Sequence, residues 1–477
     1  MQDSQTKFNR ERREHWDNVA GRLESWKGWG EYYRRRIEQI YSFNIPPDMD
    51  ILEIGCGSGN LIASLKPNYG VGVDLSRKMV ERASKLHPEI SFIQSDAVNF
   101  ELDHQFDFVI LSDTINDLWD VQTVLQNILN VLKPDGRLII NFYNRLWEFP
   151  LKIASSIHIA KPNLIQNWLT VNDARNLLEL SGYEVIRNWE EILFPLPIPL
   201  FKDLSNKYLV RFWPFRLFAM THFLVARPEP SLSKGETKDY SVSVIIPARN
   251  EAGNIRNIFE RVPHMGKSTE LVFVEGHSTD NTLSAIETEI KTRPDIDAKL
   301  FKQSGKGKGD AVRLGFSKAS GEVLMILDAD LTVPPEFLPR FYDALVSGAG
   351  DFINGVRLVY PLEKHAMRFF NLIGNKSFSL VFSSILGQPV KDTLCGTKVL
   401  WKKDYEIIAA NRSYFGDFDP FGDFDLIFGA AKLNLKIVDM PIRYHERTYG
   451  KTNIQRWKHG WLLLRMVGFA ARRLKFI

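Results

Sequence analysis

The sequence predicts an α/β protein made of two consecutive domains, each built on a mostly parallel sheet. Three observations carry this. From residue 50 onward, short apolar runs alternate with amphipathic segments, the pattern of a parallel sheet covered on both faces. A polar stretch at 227–240, RPEPSLSKGETKDY, interrupts the alternation, which resumes at SVSVIIP. The 477-residue length exceeds what one core serves and suits two or three domains.

Residues 1–45 read as a helical cap rich in charge and aromatics. Within 46–228 the runs ILEIG, GVGVDLS, SFIQSD, FDFVILSD and RLIINFY read as strands, with an amphipathic helix at 78–86. GYEVIRNWEEILF and FAMTHFLVARP read as a closing antiparallel pair. A linker at 229–240, a second domain at 241–455 and a tail helix at 456–477 complete the division.

The net charge of +4 is small for this length and does not indicate a nucleic-acid partner. The two cysteines, Cys56 and Cys395, fall one in each half, which argues against a disulfide framework and suits a reducing compartment. The polar start MQDSQTKFNRERREHWD lacks the apolar stretch of a secretion signal, so a cytoplasmic location is expected. No uninterrupted apolar run reaches the roughly 18 residues of a spanning helix. The stretches 366–390 and 461–470 come nearest, but Arg368, Asn371, Asn375, Lys376 and Arg465 break them. Both are expected to lie along a membrane surface rather than cross it.

The first candidate site is EIGCGSG at 53–59, a Gly-rich turn between a strand and a helix. Gly55, Gly57 and Gly59 allow a tight turn and close approach of a ligand to backbone, and Glu53 precedes them. Asp74 ends the next strand, where a carboxylate can accept ribose hydroxyls. Asp96 and Ala97 end the third and can address an adenine edge. Ser112 and Asp113 end the fourth. Ligands of such sheets sit at the carboxyl ends of strands, so these features converge on one crevice. His15, Trp16, Tyr32 and Tyr33 could form a lid over it or only pack the first helices, and Asp113, Asn116 and Asp117 could line an acceptor pocket.

Residues 51–144 resemble class I S-adenosylmethionine-dependent methyltransferases through ILEIGCGSGN, GVGVDLS, QSDA and LKPDGRLII. The resemblance implies a Rossmann-like sheet and S-adenosylmethionine as cofactor. It implies no catalytic residue, because methyl transfer needs mainly alignment of acceptor and sulfonium.

The second candidate site assembles from four segments. SVSVIIPARNEAGNI places Pro247, Arg249, Asn250 and Glu251 at the end of a strand, and LVFVEGHSTDNT does the same with Glu275 and Asp280. GKGKGDAVRLGF brings Lys306, Lys308, Asp310 and Arg313, and lysines on a Gly-rich loop suit phosphate. GEVLMILDADLTVPPEF ends a buried strand at Asp328, Ala329 and Asp330. In an extended geometry the two carboxylates point the same way and can bind a Mg²⁺ or Mn²⁺ that also bridges a diphosphate. A bare DxD is more often a solvated turn; its order after three nucleotide-facing segments favours the metal reading.

Residues 241–455 resemble glycosyltransferase family 2, with the GT-A fold, and within it the dolichyl- and polyprenyl-phosphate mannosyl- and glucosyltransferases. The matching stretches include IIPARNEAGNI, GKGDAVRLGF, MILDADLTVPPE, VKDTLCGTKVL, GDFDLIFGAA and RTYGKTNI. The resemblance implies an inverting transfer from a UDP- or GDP-sugar. It implies that Arg447 and Lys451 hold an acceptor phosphate, and that Asp423 or Asp425 is the acidic residue that would deprotonate a hydroxyl acceptor. Asp392 is expected to line the same site or to cap a turn. Glu275-Gly276 departs from the paired acids of the family, Thr332 stands where some relatives supply a further metal ligand, and Ile427 replaces a later acid.

The tail RWKHGWLLLRMVGFAARRLKFI carries six Lys/Arg and no acid, with Lys458, Arg465 and Arg472 on one stripe of a helix. Such a helix can rest on an anionic bilayer or pack on the catalytic domain with a solvated basic face. Together these readings give a bifunctional transferase, peripheral on the cytoplasmic face of a membrane, acting on a lipid-linked acceptor. The alternative is a transferase for a soluble or polysaccharide hydroxyl, regulated by a non-catalytic N-terminal module.

Overall fold

A computed structural model describes residues 2–21, 30–156, 164, 166–196, 198–230, 239–357, 369–412, 422–445, 447, 449 and 456–476, with only the backbone at 2–4, 369–375, 423, 456–460 and 462. The chain divides into two compact units, Met1–Glu229 with Phe476–Ile477, and Pro230–Lys475.

The first unit holds a seven-stranded sheet: β1 (Asp50–Ile54), β2 (Tyr69–Asp74), β3 (Ser91–Gln94), β4 (Phe106–Ser112), β5 (Leu132–Tyr143), β6 (Tyr183–Glu191) and β7 (Thr221–Pro228). Their order is β3-β2-β1-β4-β5-β7-β6. The first five strands are parallel, and β7 pairs antiparallel with both β5 and β6, as the closing pair in the sequence suggests. Central strands are apolar on both faces because helices cover both. Leu52, Val109, Leu138 and Ile140 pack on one face, and Ile51, Ile110, Ile139 and Phe223 on the other. The order reverses at β1, between β2 and β4, and both site loops leave the sheet there. Two helices, Gln2–Ala20 and Gly30–Asn44, precede the sheet.

The second unit holds β8 (Ser241–Ala248), β9 (Ser268–Glu275), β10 (Ala298–Lys302), β11 (Val323–Ile326), β12 (Phe352–Val356), β13 (Lys398–Trp401) and β14 (Ile437–Pro441). Their order is β10-β9-β8-β11-β13-β12-β14. Strands β8 to β11 are parallel, and β13 runs antiparallel between β11 and β12. Val244, Ile246, Phe273, Met325 and Phe341 form its core.

Both cysteines are buried and free. No helix among the described residues is long and apolar enough to cross a membrane.

Candidate functional site

In the first unit the Gly-rich turn after β1 takes the conformation only glycine adopts readily: Gly55, Gly57 and Gly59 have φ of 75°, 52° and 74°. A Cβ on Gly55 would strike the Thr114 side chain at 2.3 Å, and one on Gly59 would strike the Phe92 ring at 2.5 Å. Gly57 faces open space instead. The Asp74 carboxylate accepts the N–H groups of Gly57 and Ser76, each at 2.8 Å, and burial raises its pKa to about 6. Asp74 therefore braces the loop whose open face lies at Gly57. Glu53 is buried beneath; it accepts the Ile62 N–H at 3.1 Å, and burial raises its pKa to about 8.

The first helix closes on the same strand ends through polar contacts. Asn9 bonds Asp96, Arg12 and Trp16 reach Asp117 at 2.9 and 2.8 Å, and Asp17 accepts from the Ser76 hydroxyl at 2.5 Å. Asp96 also accepts the Val98 N–H, Ala97 is buried, and the Ser112 carbonyl accepts from Thr114. Asp113, in the left-handed region at φ 54°, stands beside two half-buried tyrosines. Tyr33 donates to it at 2.9 Å, Tyr143 at 3.4 Å and Asn141 at 2.6 Å. Of the four candidate lid residues, Trp16 engages Asp117 and Tyr33 engages Asp113. Tyr32 instead bonds Asn206, and His15 stacks edge-on against Trp16. Asn116 is fully buried and holds the Asn167 carbonyl, so it braces a loop rather than lining a pocket.

In the second unit, β11 stops at Ile326, and Asp328 to Leu331 form a turn closed by the Leu331 N–H on the Asp328 carbonyl at 3.1 Å. The extended geometry expected for the two aspartates is thus replaced by a turn, since β11 ends two residues before Asp328, and Leu331 closes the turn at a left-handed φ of 54°. Each carboxylate has its own cation. Lys308 Nζ lies 2.6 Å from Asp328 Oδ1, and Arg447 Nη2 lies 2.7 Å from Asp330 Oδ2. Burial alone would raise the Asp328 pKa, but Lys308, together with the charges of Arg357 and Lys398, outweighs it and holds the carboxyl below its ordinary value. Thr332 donates to Asp330 at 2.8 Å. Ala329 between them is buried.

Arg447 also reaches Glu251 Oε1 at 3.1 Å, and burial raises the Glu251 pKa to about 7. Asn254 holds the other Glu251 oxygen at 2.8 Å. Asp280 ties the helix starts together, accepting from Thr282 and from the Ala252 N–H; these bonds outweigh burial and lower its pKa. The Asn250 side chain accepts the Thr279 N–H at 2.7 Å and Glu275 accepts the Ser278 N–H at 2.5 Å, while Arg249 and Lys306 are exposed. Pro247 is half-buried near the end of β8. Asp310 accepts the Gly305 N–H at 3.2 Å and shapes the lysine loop.

The later acids separate. Asp423 opens the helix Asp423–Lys432, whose N-cap Gly422 has no room for a side chain, a Cβ there lying 2.5 Å from the Gly309 Cα. Asp425 instead faces a small pocket with Tyr405 and Phe316, 3.8 Å from Arg313 and 3.4 Å from Arg412. Asp392 is fully buried in a two-pronged pair with Arg357 at 2.7 and 2.9 Å, a pair that raises the guanidinium pKa despite burial, and it also caps a turn by accepting the Leu394 N–H at 3.1 Å. Lys451 lies outside the described residues.

Three participants were not singled out from the sequence. A Cβ on Gly396 would lie 2.1 Å from Asp328 Oδ2 and 2.2 Å from Lys308 Nζ, so this glycine makes the room in which that pair sits. The Tyr449 ring packs on Gly253 and its hydroxyl donates to Asp280 at 3.4 Å. Lys398, fully buried, donates to Asn354 and to the Cys395 carbonyl. The TLCGTK and RTYGK strings held the signal for all three, but only contact geometry gives them a role.

Two crevices at the carboxyl ends of parallel strands, one with a Gly-rich loop and one with a lysine loop facing paired aspartates, define a transferase of two parts. Residues 52–140 match the family model described as methyltransferase domain, and residues 243–406 match that of glycosyl transferase family 2. The chain thus carries a segment that matches a methyltransferase domain, followed by a segment that matches glycosyl transferase family 2.

The dolichol-phosphate mannosyltransferase of Pyrococcus furiosus is 29% identical over 245 residues, covering 49% of this chain and 67% of that protein. The undecaprenyl-phosphate 4-deoxy-4-formamido-L-arabinose transferase of Pectobacterium carotovorum subsp. carotovorum is 29% identical over 161 residues, covering 32% of this chain and 47% of that protein. Among solved structures, an S-adenosylmethionine-dependent methyltransferase from Thermotoga maritima aligns with TM-score 0.35 at 17% identity, over 45% of this chain and 99% of that one. One from Mesorhizobium loti aligns with TM-score 0.31 at 20% identity, over 39% of this chain and 92% of that one.

Proposed function

We propose that the C-terminal unit transfers a sugar from a UDP- or GDP-sugar to a polyprenyl phosphate, with inversion. The observation that carries this reading is the pairing of Lys308 with Asp328 and of Arg447 with Asp330 and Glu251. Two cations beside two carboxylates suit a diphosphate, which takes the cations while the carboxylates face a metal. The relatives, dolichol-phosphate and undecaprenyl-phosphate transferases, support the acceptor class.

The residues fit a hard divalent cation. Asp328 is held ionised, and the absence of a side chain at Gly396 leaves the space where its Oδ2 sits. Asp328 and Asp330 would hold Mg²⁺ or Mn²⁺, which when bound neutralises charge on the diphosphate. The chain's own groups do the rest. Glu275, Asp280 and the 249–251 segment frame the nucleoside side, and Lys306 and Lys308 meet the phosphates. An acceptor phosphate oxygen forms the new bond to the anomeric carbon as the bond to the nucleoside diphosphate breaks, its electron pair leaving with the diphosphate. That acceptor is already ionised near neutral pH, so no base is required. Asp425, set between Arg313 and Arg412, suits a bracing role, and Asp423 remains the candidate base toward a hydroxyl acceptor.

The N-terminal unit binds S-adenosylmethionine, with Gly57 offering the open backbone face and Asp74, Asp96 and Ala97 framing the nucleoside. It methylates a glycan or lipid related to the sugar acceptor, and Asp113 with Tyr33 and Tyr143 lines the acceptor side. A membrane-surface location follows from the acceptor. It is supported by Leu380 and Val381 on the helix Phe369–Leu386, and by Trp461 and Leu464 on Arg456–Ala470, all exposed, as is Arg465. The opposite stripe of the tail helix, Leu463, Met466 and Ala470, is buried.

Isothermal titration tests the cofactor, and absence of S-adenosylmethionine binding would leave the N-terminal unit a regulatory module. Extraction into detergent after incubation with donor and polyprenyl phosphate tests the acceptor, and product confined to the aqueous phase would refute it.

A further inference from the structure

The segment between β6 and β7 turns the usual arrangement of a globular surface inside out. All seven residues of FWPFRLF at 212–218 are exposed, Trp213 at 73%, and Leu200, at 85%, precedes them. Phe149, 72% exposed, lies on the helix Glu148–Ser156, joined to this segment by the Trp147 indole donating to the Phe218 carbonyl at 2.9 Å. Single exposed apolar residues are ordinary, but a contiguous group of this kind marks an interaction surface.

The polar groups of the segment point inward and fix it. Asn206, buried, exchanges hydrogen bonds with the Phe194 backbone at 2.7 and 2.6 Å. Asn144, also buried, donates to the Leu217 and Ala219 carbonyls at 3.0 and 2.9 Å. Arg211 pairs with the buried Glu191 at 2.5 Å. These anchors hold the backbone in place while Phe, Trp and Leu side chains face solvent, so the apolar ridge is presented and not merely frayed.

Its charge indicates what covers it. Between residues 198 and 218 stand Lys202, Lys207, Arg211 and Arg216 against the single acid Asp203. Arg211 is committed to Glu191 and Lys202 lies over the Tyr32 ring, which leaves Lys207 and Arg216 bordering the ridge. Aromatic and aliphatic side chains fringed by Lys and Arg match the interface of an anionic bilayer, where the rings sink among the headgroups and the cations meet lipid phosphates. We propose that this ridge, whose Phe212 ring also meets the Phe476 ring at 6.3 Å, docks the N-terminal unit on an anionic lipid surface. Asn144, which anchors the ridge, directly follows Tyr143, which contacts Asp113. The crevice thereby opens beside the lipid surface, which selects membrane-borne molecules as methyl acceptors.

The test uses the full chain with vesicles of phosphatidylglycerol and phosphatidylcholine, and with phosphatidylcholine alone. Combined Phe212→Ser, Trp213→Ser and Phe218→Ser should weaken cosedimentation with the anionic vesicles about tenfold or more while the thermal unfolding profile is kept. Unchanged binding overturns the proposal. So does a dimer in sedimentation velocity that the triple variant turns into monomer with vesicle binding intact, which would assign the ridge to a second copy of the chain. Should the triple variant fail to fold, brominated phosphatidylcholine mixed with phosphatidylglycerol reads the ridge locally. It should quench part of the tryptophan fluorescence, and Trp213→Phe should lessen that part. Equal quenching in both proteins overturns the proposal.

Discussion

Arg447 joins Asp330 to Glu251: one guanidinium nitrogen lies 2.7 Å from the aspartate and the other 3.1 Å from the glutamate. These residues are 117 and 196 positions apart from Arg447 in sequence, so a late segment closes on the ends of the two central strands β11 and β8. The fork geometry of arginine serves two carboxylates at once and equally suits a phosphate. Arg447→Ala should lower kcat/KM for sugar transfer by about 100-fold. Arg447→Lys should recover little of that, because an ammonium cannot span both partners. A lysine variant with wild-type kinetics would contradict the bridging role.

Gly396 is a space requirement at the same site. Adding only a methyl group, as Gly396→Ala, places a carbon 2.1 Å from Asp328 Oδ2 and 2.2 Å from Lys308 Nζ and forces the pair apart. Transfer should fall about tenfold or more while Tm moves by only a few degrees, since the clash falls on side-chain ends. Steady-state kinetics beside a melting curve separates the two effects, and an unimpaired variant would remove this glycine from the site.

Asp74 tests the first crevice. Its carboxylate holds the Gly57 and Ser76 N–H groups, so Asp74→Asn replaces one acceptor oxygen by a donor and loosens the loop. S-adenosylmethionine affinity should weaken about tenfold or more by calorimetry. Equal affinity in both proteins would place the cofactor elsewhere.

Glu53 gives a pH dependence. Burial raises its carboxyl from 4.5 to about 8 in the folded protein. Between those values the folded chain holds a proton that the unfolded chain has released, so stability is full below the lower value and is lost as pH rises through the upper one. The melting temperature of the N-terminal unit should therefore fall from about pH 5 to about pH 8. Glu53→Gln, which can still accept the Ile62 N–H, should flatten that fall, and a slope unchanged by the substitution would assign it to other groups.

Much of this was legible in the sequence because both sites hang on strand ends, and strands announce themselves by apolar runs. The Gly-rich turn at 53–59 and the order of the second site's segments needed no contacts to be read. Pairings across the chain did: nothing in GKGKG says that Lys308 meets Asp328, or in RTYGK that Arg447 meets Asp330. Asp423 and Asp425 read alike in sequence. On the helix they open, two residues turn by about 200°, which sends Asp425 to Arg313 and Arg412. The ridge at 212–218 carries no periodicity, and its aromatics read as readily for core as for surface. Only the inward-turned Asn144, Asn206 and Arg211 separate the two.

The central claim is that Asp328 and Asp330 serve sugar transfer to a lipid phosphate. It is tested most directly by incubating the chain with labelled UDP- and GDP-sugars, Mg²⁺ or Mn²⁺ and a polyprenyl phosphate in detergent, then counting label in the organic phase. Wild-type protein should carry label into that phase only with metal and lipid both present, and Asp328→Asn should lower the count by about 100-fold. Organic-phase label that persists at the wild-type rate in Asp328→Asn and Asp330→Asn, or label that stays in water whatever lipid is added, would contradict it.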